Sequence, residues 1–127
     1  MAIVDWGHLC DYAFFDENKK ACLIGIFTNI RAAHVPAHHP QCSFIFSLSG
    51  TPNEIVTAKF EIIRPDGKDP LLNIETPSLS LTPAGSVTNN FVLENLLLPD
   101  FGPYEIRIFL NNELAHTTTL SVLRDTK

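Results

Sequence analysis

The 127-residue sequence predicts an all-β fold, a single antiparallel sandwich, on three observations. Tyr104, Ile106, Ile108 and Leu110 alternate with Glu105, Arg107 and Phe109, the two-residue period of a strand with one buried face. Nine prolines and six glycines cut the chain into short β-forming runs. No window of a dozen residues carries a 3.6-residue apolar period with caps.

The first run is 8–15 (HLCDYAFF), closed by the polar turn 16–20. The second, 21–27 (ACLIGIF), is almost continuously apolar and reads as a strand covered on both sides. Gly25 inside it marks a bulge or a close backbone approach. The stretch 28–41 holds two prolines and three histidines and is the least regular, as expected of a crossing from one sheet to the other or along one end. In 42–49 (CSFIFSLS), Cys42, Phe44, Phe46 and Leu48 share a face. In 55–63, Val56, Ala58, Phe60 and Ile62 point inward. Pro65-Asp66-Gly67 is a turn: proline presets φ, aspartate bonds its own backbone and glycine accepts positive φ.

Residues 71–76 lie between Pro70 and Pro77, which suits a sheet edge, and 78–81 is a short further piece. Residues 86–98 form a long strand whose expected inward face is Phe91, Leu93 and Leu97. The alternating run 104–110 then turns at Asn111-Asn112, since asparagine tolerates positive φ, and returns as 114–122. Tyr104, just after Gly102, is placed to bond back across a corner. Seven or eight strands at this spacing match an immunoglobulin-like sandwich, although the Cys…Trp…Cys hallmark is absent because Trp6 precedes all three cysteines.

Length and a 45% apolar fraction suit one packed domain spanning 1–127. The formal charge is −5, with no basic stripe, which argues against nucleic acid and anionic membranes as partners. No apolar run approaches the ~20 residues of a membrane helix. The amino-terminal segment carries Asp5 and no basic region, so no secretory signal is expected. Cys10, Cys22 and Cys42 read as reduced, buried thiols of a cytosolic protein.

Five motifs in order, CDYA at 10–13, LIGIF at 23–27, Pro36 with His39-Pro40, RPDGK at 64–68 and FGPYEIRIFLNNEL at 101–114, resemble a family of small, uncharacterised bacterial β-sandwich proteins, a domain of unknown function. The resemblance spans nearly the whole chain. It departs at Lys19-Lys20-Ala21, where the family favours Gly-Lys-Leu, and at Gly102-Pro103-Tyr104, where it favours Gly-Thr-Tyr. It implies a sandwich fold and a bacterial cytoplasmic setting, and it supplies no catalytic residues.

The sharpest chemical candidate is His34, His38, His39 and Cys42, spaced H-x3-H-H-x2-C. Imidazole and thiolate are zinc's ligands, but adjacent histidines diverge on an extended chain and Cys42 opens an inward-facing run. Cys10 and Cys22 lie in apolar runs, where thiols are inert, and His116 reads as a structural histidine. Asp16, Asp66, Asp69 and Asp100 occupy turns without a calcium-loop pattern. Glycine-rich phosphate loops and G-x-S-x-G elbows are absent. Phe14-Phe15 and Phe44/Phe46 are read as core. Trp6 is read as a cap on an open sandwich end or an exposed partner anchor. The expected function is therefore a non-enzymatic interaction or structural module without cofactor, binding another protein or a second copy of itself. Its candidate contacts are Trp6, His34, His38 and His39, or an unpaired edge; the alternative is transition-metal binding through His34, His38, His39 and Cys42.

Overall fold

The computed structural model describes residues 1–67 and 69–125; Lys68 of the RPDGK turn and the last two positions of the expected domain lie outside them. The described chain forms eleven strands and no helix: β1 Ile3–Phe15, β2 Ala21–Ile26, β3 Asn29–Ala32, β4 Ala37–Ser49, β5 Ile55–Val56, β6 Ala58–Ile63, β7 Pro70–Glu75, β8 Leu79–Ser80, β9 Ser86–Leu98, β10 Gly102–Leu110 and β11 Glu113–Arg124. The surplus over seven or eight comes from β3, from the split of 55–63 into β5 and β6, and from the two-residue β8.

The strands make a four-stranded sheet, β2-β1-β4-β9, and a five-stranded sheet, β3-β11-β10-β6-β7, with β5 and β8 as a separate ladder. In immunoglobulin terms, β1, β4 and β9 take the A, B and E positions, and β6, β7, β10 and β11 take C, C′, F and G. All pairings in the two sheets are antiparallel except β3 with β11, which is parallel. The chain from β2 through β3 to β4 crosses to the second sheet and returns, one of the two courses expected of 28–41, but that stretch is less irregular than expected: 29–32 is β3 and 37–41 opens β4.

Period-2 patterning places the core between the sheets. Tyr104, Ile106, Ile108 and Leu110 from β10 meet Cys42, Phe44, Phe46 and Leu48 from β4, with Val56, Ala58, Phe60 and Ile62 between them in sequence, and all are buried. Phe60 of β6 packs its ring on Phe44 at 5.1 Å and on Phe91 at 5.3 Å, and Phe46 stacks on Phe91 at 5.5 Å. Such ring pairs add about 0.5–1.5 kcal/mol each beyond their area burial.

Two local devices hold the last hairpin. Asn111 and Asn112 adopt φ of 49° and 68°, the left-handed pair that a tight hairpin turn requires. Tyr104 is fully buried, and its hydroxyl donates to the Asp100 carbonyl at 3.0 Å while accepting from the Asp100 N–H at 2.8 Å. This is the expected tyrosine corner.

Four expectations need correction. Leu97 points outward and is 53% exposed, while Leu96 and Leu98 are buried. Asn95, at φ 53°, resets the alternation after Leu93, and a left-handed residue shifts which face follows it. The run at 21–27 is not covered on both sides: β2 is an edge strand, and Ile24 and Ile26 are 57% and 55% exposed. Phe14 and Phe15 are exposed rather than core, whereas Phe44 and Phe46 are core. Trp6 caps no sandwich end, because β1 begins at Ile3 and carries Trp6 within the sheet.

Ile108→Asp places a carboxylate in the fully buried core row and should abolish the folded state, seen as loss of a cooperative urea transition. Tyr104→Phe should keep the fold and lower unfolding free energy by about 1–3 kcal/mol, because both Asp100 groups lose their partner.

Candidate functional site

Five exposed large apolar side chains, Tyr12, Phe14, Phe15, Ile24 and Ile26, lie on the hairpin of β1 and β2, and others are scattered over β5, β9 and β11. Cys10 is where β1 changes partners: it opposes Ser43 on β4 and Ile26 on β2. Before Cys10, β1 pairs with β4; beyond it, β1 pairs with β2, so the two strands form an arm of their own that lies against the outer face of the sheet. One face of the arm is buried. Ala13, Ala21 and Leu23 join Cys10, Ile45 and Trp6 in a small second core. Ile45 alternates with Phe44 and Phe46 on β4, so this core lies on the sheet's outer side.

The other face of the arm is open. Tyr12 opposes Ile24, and Phe14 opposes Cys22. Tyr12 is 52% exposed and its ring lies 5.5 Å from that of Phe14. Gly25 takes a φ of +72°, and a Cβ there would meet the Asp11 carboxylate at 2.5 Å. The close approach expected of Gly25 is thus with Asp11, whose Oδ1 is 3.6 Å from His39 Nε2. The arm turns at Asp16, whose carboxylate accepts from the Asn18 and Lys20 N–H groups at 2.8 and 2.9 Å, with Lys19 at φ 62°.

The four residues of the metal candidate have separate surroundings. His34 is exposed in the turn before β4. His38 Nε2 lies 3.3 Å from Asn95 Oδ1. His39 turns to Asp11 and packs on Phe27 at 5.2 Å. Cys42 is fully buried in the main core, where burial pushes its thiol up to about 11 and keeps it protonated. Among the described residues, no three His, Cys, Asp or Glu side chains are grouped to hold a metal ion. Of the turn carboxylates, Asp100 accepts two bonds from Arg64, at 3.0 and 3.3 Å.

Trp6 stacks on His8 at 5.7 Å and is half-buried against the second core. His116 of β11 is half-buried, and desolvation, with a smaller contribution from His8, lowers its pKa. Cys10 is buried as expected, and desolvation raises its thiol; Cys22, expected to be buried, is instead partly accessible because β2 is an edge strand. Sequence reasoning named Trp6, His34, His38 and His39 as contacts and missed Tyr12, Phe14, Ile24 and Ile26. The unbroken apolar runs 12–15 and 21–27 were the available signal, but apolar side chains are assigned inward by default.

At native pH one thiol, Cys22, should react quickly with a disulfide reagent, while Cys10 and Cys42 should wait for unfolding. A depressed His116 pKa means the unfolded chain binds that proton more readily. Its contribution is fully present above about pH 6.5 and is lost as pH falls through the lower folded value. His116→Gln should therefore flatten the acid side of a urea-midpoint profile relative to wild type.

The sequence matches the profile of a "Family of unknown function (DUF6941)" over residues 5–123. No curated protein matches it. Among solved structures, the Pseudomonas fluorescens alkylpurine DNA glycosylase AlkC, bound to DNA containing an abasic site analog, is similar with a TM-score of 0.62 at 8% identity, covering 96% of this chain. The chain spans 30% of that glycosylase's length, and the likeness is one of fold. An immunoglobulin-like protein from Pseudomonas aeruginosa aligns with a TM-score of 0.47 at 17% identity, covering 96% of both chains. The Listeria innocua β-glucosidase aligns with the same score at 8% identity over 77% of this chain and 15% of its own. The chain belongs to the DUF6941 family.

Proposed function

We propose that this member of the DUF6941 family is a non-enzymatic protein-interaction module of the bacterial cytoplasm, and that the β1–β2 arm is its contact surface. The observation that carries this reading is the open face of Tyr12, Phe14, Ile24 and Ile26 beside an edge that has no partner strand among the described residues. Contiguous apolar surface of this kind marks interaction sites, and aromatic anchors supply much of the binding energy. Three free thiols suit a reducing compartment.

Other partners fit the molecule less well. The glycosylase of similar fold is bound to DNA, but this chain carries −5 and offers little to neutralise phosphate. Among the described residues, no helix is long and apolar enough to cross a membrane. Metal binding by His34, His38, His39 and Cys42 draws no support from their geometry, since Cys42 lies in the core and His38 and His39 face different side chains.

The test compares wild type with the double variant Tyr12→Ser and Phe14→Ser. Gentle affinity capture from native lysate and light scattering should give a complex with wild type, homomeric or mixed, and lose it with the variant. A wild type that is monomeric and captures nothing overturns the reading.

A further inference from the structure

We propose that the β1–β2 arm is a hinged cover. It lifts as a unit at Cys10 and Asp11 on β1 and at Gly25 and Ile26 on β2, while both sheets stay folded, and it uncovers the outer row of β4. The closed arm withholds Ser43 and Ile45 of that row, both buried, from solvent and from partners. The first support is how abruptly the anchoring of the two strands changes. Leu9 is buried in the main core and Phe27 packs against it, and the Phe27 N–H donates to the Leu9 carbonyl at 3.0 Å. One residue beyond Leu9, the β1–β4 ladder ends at Cys10. From there the arm rests on the second core, which draws residues from β1, β2 and β4 alone. Two of its members are alanines, Ala13 and Ala21, which bury little apolar area. Among the described residues one ion pair, Asp11 with His39 at 3.6 Å, ties the arm to the sheet, and Asp11 is 62% exposed, where such a pair holds weakly.

The second support is what lies beside and beyond the arm. Asn90 of β9 opposes Ile45, so its side chain points to the same side of the sheet. Its Oδ1 is buried and has no hydrogen-bond partner among the described residues. An unpartnered buried acceptor destabilises the closed state, and water admitted by a lifted arm satisfies it. At the tip, an open space of about 360 Å³ lies between Phe15 and Lys19 on one side and Thr82, Ser86, Val87 and Thr88 on the other, so the turn is not packed down on β9. The arm keeps its own ladder, from Tyr12 with Ile24 to Phe15 with Ala21, and its own Asp16 turn, so its residues leave together. Segments with few buried apolar contacts open below the free energy of global unfolding.

Opening exposes Cys10, which is fully buried in the second core, and leaves Cys42 in the main core. Both thiols wait for unfolding, Cys10 for that of the arm and Cys42 for that of the whole domain. The test is alkylation of folded Cys22→Ser, with reagent dilute enough for each rate to track the open population and both sites followed by peptide mass spectrometry. Without urea, Cys10 should be modified at least about tenfold faster than Cys42. Two further substitutions in that background assign the opening. Leu23→Ala weakens only the closed arm, so it should speed Cys10 by about threefold or more. Ile108→Val weakens the closed and arm-open states alike, so it should leave the Cys10 rate unchanged while speeding Cys42 about two- to tenfold. Circular dichroism checks that each variant is folded. Equal rates at Cys10 and Cys42 overturn the proposal. So does an Ile108→Val variant that speeds both thiols by the same factor, since Cys10 then opens only with the whole domain. A fast Cys10 that Leu23→Ala does not speed overturns it too, because that thiol is then reached with the arm in place.

Discussion

Phe60 is the residue through which the two sheets meet. It stands on β6 of the five-stranded sheet, and its ring touches Phe44 on β4 and Phe91 on β9 of the other. Its flanks on β10, β6 and β4 are rows of buried apolar side chains. Sandwich cores are close-packed, so one ring in contact with two facing strands fixes the sheet separation and the phase of every strand that contributes to the layer. The tyrosine corner and the double-asparagine turn then hold β10 and β11 in register with that layer.

Because β4 is committed to this core by Phe44 and Phe46, its alternate residue Ile45 must face the other way. An isoleucine on an outer sheet face needs cover, and the β1–β2 arm supplies it with Ala13, Ala21 and Leu23. The cover has its own period of two. Burying Ala13 and Leu23 turns Tyr12, Phe14 and Ile24 to the solvent. The apolar surface is thus a consequence of packing passed outward by one layer, from Phe44 through Ile45 to the arm. A two-stranded arm cannot bury both of its faces alone.

The histidines tell a different story. His38 and His39 belong to β4, where consecutive side chains diverge, so each finds a separate neighbour, Asn95 in one case and Asp11 with Phe27 in the other. Their clustering in sequence is a product of strand continuity, not of convergence at a site. Cys42, three positions on, is turned into the core by the same alternation that buries Phe44.

The sequence by itself determined most of the runs that become strands, though not 3–7, 29–32 or 37–41, and, for most of them, which face is buried. The rows of β4, β6 and β10 were legible because alternation and the spacing of turn residues are local properties. So were the Asn111-Asn112 turn and the Tyr104 corner. The tertiary structure decided the rest. A continuous apolar run such as 21–27 looks the same whether a strand lies in the middle of a sheet or at its edge, because the difference is made by strands far away in sequence. The alternation in β9 was lost at Asn95 because a single left-handed residue resets the phase without altering the pattern of types. The candidate surface stayed hidden for the same reason. Tyr12, Phe14, Ile24 and Ile26 are apolar enough to be core, and only the handover of β1 at Cys10 from β4 to β2 leaves them facing water.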